Sequence, residues 1–353
     1  MMNEKTLADK FKDVITQVFE AVNGGAVVQF DPGPVDWEQN RPDMLVTVKN
    51  DKREYRIAVE IKTLGQPRVI RLAAQQLQEY LAASDDEGYG VFAAPYITEE
   101  GRELCQKYGI GCIDLAGNAR LALPGLYVDI QGMKNPSPTT RGIKSLFGRK
   151  SSRAVRILLA EPNRMWFVRE LAVEANISLG QASNVKRLLT AQDFIQEDGR
   201  AFRLVEPQRL LDAWAANYSF QDNASFDYYS IQGTQAEREI GDLCNAMNVK
   251  YALSLFSGAN LKAPFVRHNR AFIYVEDKIT EIARQAGLKE VASGPNVTLL
   301  TPYDQGVFYG NEKINGLSVV SDIQLYLDLI KYPGRGAEAA GYILENKVKP
   351  TWR

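Results

Sequence analysis

The segment SLGQASNVKRLLTAQDFIQEDGRAFRL, residues 178–204, decides the fold of the middle of the chain. Its first half predicts a helix, because Ser178 is a favourable N-cap and apolar residues recur at helical spacing, at Ala182, Val185, Leu188 and Leu189. Its second half predicts a β-hairpin, because Asp198-Gly199 separates two short apolar runs and Asp-Gly favours a type I′ turn. The segment therefore predicts a helix followed directly by a hairpin.

The residues before this segment predict two more helices and one short strand. Helical patterns cover 153–160 and 168–175, and Trp166-Phe167 between them has the composition of a strand. Three helices followed by a hairpin is the order of a winged helix-turn-helix domain, which we place at residues 151–218.

Polar and basic side chains on the third helix and the hairpin are suited to DNA. Such groups meet phosphates and base edges when a helix enters the major groove. We expect the contacts from Gln181, Ser183, Asn184, Lys186, Arg187, Arg200 and Arg203. The alternative is a winged helix that is used only for protein contacts.

A basic linker precedes this domain. Residues 134–150 are rich in Pro, Ser, Thr and Gly at their start and carry five basic and no acidic residues, whereas residues 1–133 carry 14 basic and 20 acidic ones. The whole chain is nearly neutral, with 42 basic against 43 acidic residues. Because phosphate affinity depends on local cations, we expect Lys144, Arg149 and Lys150 to contact DNA.

Residues 1–133 predict a separate α/β domain with a mixed sheet. A helix comes first, three strand-like runs follow at 26–30, 44–48 and 55–62, and helices and strands then alternate to residue 130. Asp43 opens the second strand, and Glu60 and Lys62 stand at alternate positions of the third, so they share one face. The two carboxylates are suitable ligands for Mg²⁺ or Mn²⁺, and Lys62 for orienting water or phosphate.

Two explanations of this pattern stay open. Val59-Glu60-Ile61-Lys62 is also what an alternating strand with an ion-paired outer face looks like. The full set, with Asp43, resembles the PD-(D/E)XK nuclease superfamily across roughly residues 5–132. That resemblance implies that Asp43 and Glu60 bind the metal, that Lys62 is catalytic, that Glu20 is a helical carboxylate near the metal, and that Gln76 and Tyr80 form the QxxxY motif.

The last block, residues 230–353, again predicts an α/β fold. It resembles the C-terminal domain of the AbiEi antitoxins of type IV toxin-antitoxin systems, through residues 252–261 (ALSLFSGANL), 319–329 (VVSDIQLYLDL) and 334–340 (GRGAEAA). The resemblance implies a nucleotidyltransferase-like fold beside a DNA-binding winged helix.

This block departs from a working nucleotidyltransferase. Such an enzyme needs a Gly-Ser turn and an Asp-x-Asp pair for two metal ions, yet the order here is Ser257-Gly258, and the following strand has carboxylates only at its end, at Glu276 and Asp277. We therefore do not expect nucleotidyl transfer. The family's simplest members also begin with the winged helix, whereas here it is central.

Two functions follow from the sequence. The first is a DNA-binding transcriptional regulator of the antitoxin type, with double-stranded DNA and a cognate toxin as partners. The alternative is a metal-dependent DNA endonuclease centred on Asp43, Glu60 and Lys62. The lone histidine, His268, excludes His-rich zinc sites. No run of residues is long and apolar enough to span a bilayer, so we expect a cytoplasmic protein; the oligomeric state is not predicted.

Overall fold

The structure is a computed structural model that describes residues 4–23, 27–31, 41–50, 53–84, 88–135, 143–263 and 269–352. His268 lies outside these residues. The chain divides into two compact units, Met1–Thr139 with Ala191–Asp193, and Thr140–Thr190 with Phe194–Arg353.

The first unit contains one seven-stranded sheet and three helices. The strands are β1 Val27–Asp31, β2 Met44–Asn50, β3 Arg53–Ile61, β4 Gly88–Ala94, β5 Gly111–Asp114, β6 Ala119–Leu123 and β7 Leu126–Ile130, and they lie in the sheet in chain order. The helices are α1 Glu4–Asn23, α2 Pro67–Ala83 and α3 Glu99–Lys107. Neighbouring strands are antiparallel except β3–β4 and β4–β5, which are parallel. The expected mixed sheet is confirmed.

The helices of this unit form where the sequence predicts them. Leu7, Phe11, Ile15 and Phe19 on α1 follow at intervals of four and are buried in the core of the sheet. α2 begins at Pro67, whose missing N–H is tolerated in the first turn. α2 and α3 are the crossovers that two parallel strand pairs require.

The second unit begins with the elements that predict the winged helix. A 3-10 helix at Ile143–Phe147 leads into α4 Arg149–Ala160, α5 Val168–Glu174 and α6 Leu179–Ala191, then into the hairpin β8 Ile195–Asp198 and β9 Ala201–Leu204, and into α7 Pro207–Asn217. Trp166 pairs with Phe202 beside the hairpin. Residues 143–150, assigned to the linker above, are thus structured, and Leu146 is fully buried.

A second seven-stranded sheet follows. Its strands are β10 Ala224–Tyr229, β11 Tyr251–Leu253, β12 Ala271–Val275, β13 Lys289–Glu290, β14 Val297–Thr301, β15 Glu312–Ile314 and β16 Leu317–Val319, in the spatial order β13-β10-β14-β12-β11-β16-β15. The helices are α8 Ala236–Ala246, α9 Leu255–Lys262, α10 Ile279–Gln285, α11 Asp322–Ile330 and α12 Gly336–Ile343. A short π-helix, Leu344–Val348, continues α12.

One hydrophobic cluster connects the three-helix segment with this sheet and its helices. It runs from Leu146 through Trp166, Phe202 and Trp214 to Val348. The guanidinium of Arg153 on α4 binds both carboxylate oxygens of Asp304, at 2.7 and 2.8 Å. The described residues 143–190, 194–263 and 269–352 therefore share one core, and the predicted boundary between 151–218 and 230–353 stays a prediction.

Candidate functional site

One side of α6 faces solvent and carries part of the predicted DNA-contact set. Ala182, Val185, Leu188 and Leu189 are buried, as their spacing predicts, whereas Ser183, Asn184 and Arg187 are exposed on the opposite side. Arg187 donates a hydrogen bond to Oδ1 of Asn184 at 2.8 Å, so its guanidinium lies along the exposed surface. This surface offers hydroxyl, amide and guanidinium groups together.

Gln181 takes part in the N-terminal cap of α6, and its predicted DNA contact stays a prediction. The Gln181 backbone N–H donates to Oγ of Ser178 at 3.2 Å, and the Ser178 N–H donates back to Oε1 of Gln181 at 3.3 Å. This reciprocal pair is a capping box, which satisfies two N–H groups at the start of α6. The capping geometry holds the Gln181 side chain against its own helix.

Lys186 connects α6 to the hairpin. Its ammonium lies 3.2 Å from Oε1 of Glu197 on β8 and 5.5 Å from the ring centre of Phe202, and its side chain is only 21% exposed. The sequence does not show this pairing, because it joins residues on two elements.

The hairpin and the start of α4 hold the remaining predicted contacts. Arg200 is exposed beside the turn residue Gly199, whose φ of +59° suits glycine. Arg203 is exposed and donates to Gln196 across the hairpin at 3.0 Å. Lys144, Arg149 and Lys150 are exposed, so the basic charge predicted for the linker lies on the 3-10 helix and the first turn of α4.

In the first unit, Asp43, Glu60 and Lys62 lie close together. The Lys62 ammonium is 2.5 Å from Oε1 of Glu60 and 3.8 Å from Oδ2 of Asp43. Asp43 Oδ2 also accepts a hydrogen bond from the Ile61 N–H at 2.7 Å, which fixes the carboxylate at the end of β3. The alternation of the strand thus brings Glu60 and Lys62 to one face, as expected.

Burial raises the pKa of Glu60. Glu60 is 3% exposed, and desolvation raises its pKa, against the opposing effect of the Lys62 hydrogen bond and with a further rise from the Asp43 charge. A cation that bound between the two carboxylates would favour the charged form of Glu60.

The other residues named by the nuclease resemblance lie on the helices α1 and α2. Glu20 is exposed on α1, Gln76 is exposed on α2, and Tyr80 packs half-buried against the apolar cluster beneath α2. No group of three acidic, His or Cys side chains with metal-binding geometry occurs among the described residues. Asp43 and Glu60 would be the protein ligands of a bound cation, and two carboxylates would suit Mg²⁺, since this ion commonly takes one or two carboxylates and completes its shell with water and phosphate oxygens.

A buried Asp–Asn turn lies on the same sheet. Asp114 is fully buried at the end of β5, and its carboxylate accepts hydrogen bonds from the N–H groups of Ile97, Ala116 and Asn118 and from the Asn118 amide. Because its oxygens hold this turn, Asp114 is a structural residue.

In the second sheet, Ser257 and the carboxylates Glu276 and Asp277 lie beside different ends of β12. Ser257 is fully buried and accepts a hydrogen bond from the Phe272 N–H at the start of β12. Glu276 and Asp277 follow the other end of that strand, about 13 Å along the backbone at ~3.3 Å per residue. The hydroxyl and the carboxylates are therefore at opposite ends of the strand.

A fully buried carboxylate, Asp328 on α11, is the feature that sequence reasoning missed. Its oxygens accept hydrogen bonds from the hydroxyls of Tyr218 at 2.6 Å, Ser254 at 2.5 Å and Tyr274 at 3.1 Å, and from the Gln324 amide at 2.7 Å. Burial raises the pKa of Asp328 to about 6, although the four side-chain donors oppose the rise. The signal in the sequence is a single acidic residue inside the apolar run 325–329.

Comparison with known proteins supports the C-terminal resemblance. Residues 203–349 match the family described as "Transcriptional regulator, AbiEi antitoxin, Type IV TA system". The match starts within β9 and ends after α12, so it covers the second sheet and all three stretches that carry the resemblance. No curated protein matches the chain. Among the described residues, no helix has the length and apolar character needed to cross a membrane.

Proposed function

We propose that the chain is a DNA-binding regulator whose winged helix, predicted over residues 151–218, binds double-stranded DNA, because residues 203–349 match the family of AbiEi antitoxin transcriptional regulators. One observation carries the proposal: α4, α5, α6 and the hairpin share a single hydrophobic core with the family segment. A DNA-contacting helix would thus be held rigidly on the regulator fold.

The charges of this segment are placed for such a role. Arg187 is on the exposed face of α6, Arg200 and Arg203 are on the hairpin, and Lys144, Arg149 and Lys150 precede or begin α4. Base edges would meet Ser183 and Asn184, and phosphates would meet the arginines and lysines. Lys186, paired with Glu197, is better suited to holding the hairpin against α6.

The family description also bears on partners. A type IV antitoxin implies a cognate toxin, so we propose that such a toxin is encoded beside this chain. We also propose that such a regulator acts in the cytoplasm, where it would meet its DNA.

Arg187→Ala tests the DNA-binding proposal. We expect it to weaken binding to a duplex of the chain's own upstream region by about 5- to 10-fold and to reduce the slope of log affinity against log salt by about one, because one phosphate or base contact is lost. Fluorescence anisotropy over a salt series measures both.

Arg335→Ala is the matched control, since Arg335 is an exposed arginine of the same unit that pairs with Glu338 on α12. If Arg187→Ala and Arg335→Ala change the affinity and its salt dependence equally, the assignment of α6 as the DNA-contacting helix is contradicted.

We infer a second candidate function, a Mg²⁺- or Mn²⁺-dependent DNA endonuclease, from one observation: Asp43, Glu60 and Lys62 converge at the end of β3. The order α1-β1-β2-β3-α2-β4 with these positions also fits the PD-(D/E)XK resemblance. A metal bound to the carboxylates would supply an activated water, and Lys62 would hold the attacking water or the phosphate.

Plasmid cleavage tests this candidate. With Mg²⁺ or Mn²⁺ added, we expect Lys62→Ala to reduce nicking by at least ~100-fold, in line with the loss of one electrostatic catalytic group. Lys49→Ala, which removes an exposed lysine paired with Glu54 on the same sheet, should cleave like the unmodified chain. Absence of metal-dependent cleavage, or equal loss in both variants, would remove the nuclease candidate.

A further inference from the structure

An exposed leucine stands at the start of α6. Leu179 is 58% exposed and is the first residue of the helix. Gly180 follows it, and apart from its two chain neighbours and the backbone of its own helix no described atom lies within 4 Å of where its side chain would begin. Along the helix Leu179 lies in line with Ser183 and Arg187, because residues four apart share a face. An apolar side chain therefore begins the stripe proposed to meet DNA.

The polar residues near Leu179 already form hydrogen bonds or ion pairs within the protein. Ser178 and Gln181 bind each other in the capping box, and Lys186 is paired with Glu197. What the first turn and a half of α6 presents outward is then the isobutyl group of Leu179, the bare backbone of Gly180, and Ser183. The N-terminal residues of such a recognition helix are the ones that reach base edges.

Only one group in the major groove is apolar. The four base pairs present donors and acceptors there, and thymine alone adds a C5-methyl group. A leucine side chain offers that groove no hydrogen bond but can bury the methyl, and the open space beside Gly180 lets the helix approach closely.

We infer that Leu179 contacts thymine methyl groups in the major groove and that the chain's DNA site therefore carries thymine opposite the start of α6. The inference rests on the proposed function, DNA binding by the winged helix, and adds the base that this helix selects. Arg187, about two turns further along, supplies the charge that draws the helix to the phosphates.

Uracil substitution tests the contact. Two copies of the upstream duplex are amplified, one with dTTP and one with dUTP, so that the second differs only by the missing methyl groups. We expect the unmodified chain to bind the thymine duplex at least about fourfold more tightly, the effect of one buried methyl group. With Leu179→Ala, binding to the thymine duplex should weaken and the thymine-to-uracil ratio should fall to about one.

Arg187→Ala is the comparison variant, because it should weaken binding to both duplexes and leave the ratio unchanged. The inference is overturned, with DNA binding still in place, if Leu179→Ala keeps the thymine-to-uracil affinity ratio of the unmodified chain. It is also overturned if that ratio is one for the unmodified chain. Binding of neither duplex by the unmodified chain overturns the proposed function and this inference with it. Circular dichroism of Leu179→Ala confirms that the exposed substitution leaves the fold intact.

Discussion

Asp328→Ala is expected to lower the free energy of unfolding by at least about 3 kcal/mol. The substitution leaves the hydroxyls of Tyr218, Ser254 and Tyr274 without their acceptor in a fully buried site, and an unsatisfied buried group costs roughly 1–3 kcal/mol. Denaturant unfolding followed by circular dichroism measures the change. Glu338→Ala is the control: Glu338 forms a surface ion pair, and its loss should change stability by less than about 0.5 kcal/mol.

The contribution of Asp328 to folding stability should change with pH in one direction. In the folded chain the pKa of Asp328 is raised to about 6, above its ordinary value near 4, so the folded state binds the proton more readily. Stability relative to Asp328→Asn, which does not titrate, should therefore rise as the pH falls from 7 towards 4, with a slope approaching about 1.4 kcal/mol per pH unit below pH 6. If the difference in free energy of unfolding between the unmodified chain and Asp328→Asn does not change with pH, or if the unmodified chain loses stability relative to the variant on acidification, the raised pKa of Asp328 is contradicted.

Gly336→Ala is the second large expected effect, a loss of about 2–4 kcal/mol of stability. A methyl group on Gly336 would stand 2.5 Å from the backbone oxygen of Leu329 and 2.9 Å from Cβ of Tyr332. Because the first of these atoms is backbone, α11 and α12 would have to separate, which is an overpacking cost. Thermal unfolding of the variant measures it.

Gly341→Ala is a control on the same helix with the opposite sign. Apart from its chain neighbours and the backbone of its own helix, no described atom lies within 4 Å of where a Gly341 side chain would begin, so alanine should stabilise α12 by about 0.5–1 kcal/mol through its helix propensity. If Gly336→Ala and Gly341→Ala destabilise the chain equally, the close approach of α12 to α11 does not explain the need for glycine at position 336.

Local signals in the sequence account for much of the fold. The cap at Ser178 and the buried stripe of α6 each depend on neighbours within a few residues, and each is found as predicted. The hairpin also forms, but the predicted type I′ turn at Asp198-Gly199 is wrong: Asp198 pairs with Ala201, the loop is Gly199-Arg200, and only Gly199 has a positive φ, whereas type I′ requires one at both central residues. The proximity of Glu60 and Lys62 follows in the same way from the alternation of a strand.

What the sequence did not show depends on contacts between distant residues. Gln324 lies one helical turn before Asp328, but the hydroxyl donors come from residues 218, 254 and 274, and no spacing rule connects these three with Asp328. The ion pair of Lys186 with Glu197 joins α6 to β8, and the DNA contact predicted for Lys186 stays a prediction. Arg153 and Asp304, 151 residues apart, likewise join α4 to the second sheet only once the core has formed.

The most direct test of the central claim, that the winged helix makes this chain a sequence-specific DNA-binding regulator, is a pair of anisotropy titrations at physiological salt. One uses a labelled duplex of the chain's own upstream region, and the other a duplex of equal length and base composition in shuffled order. We predict that the upstream duplex binds at least about 1,000-fold more tightly, the lower range for specific over non-specific binding. Equal affinity for the two duplexes, or binding of neither, would contradict the claim.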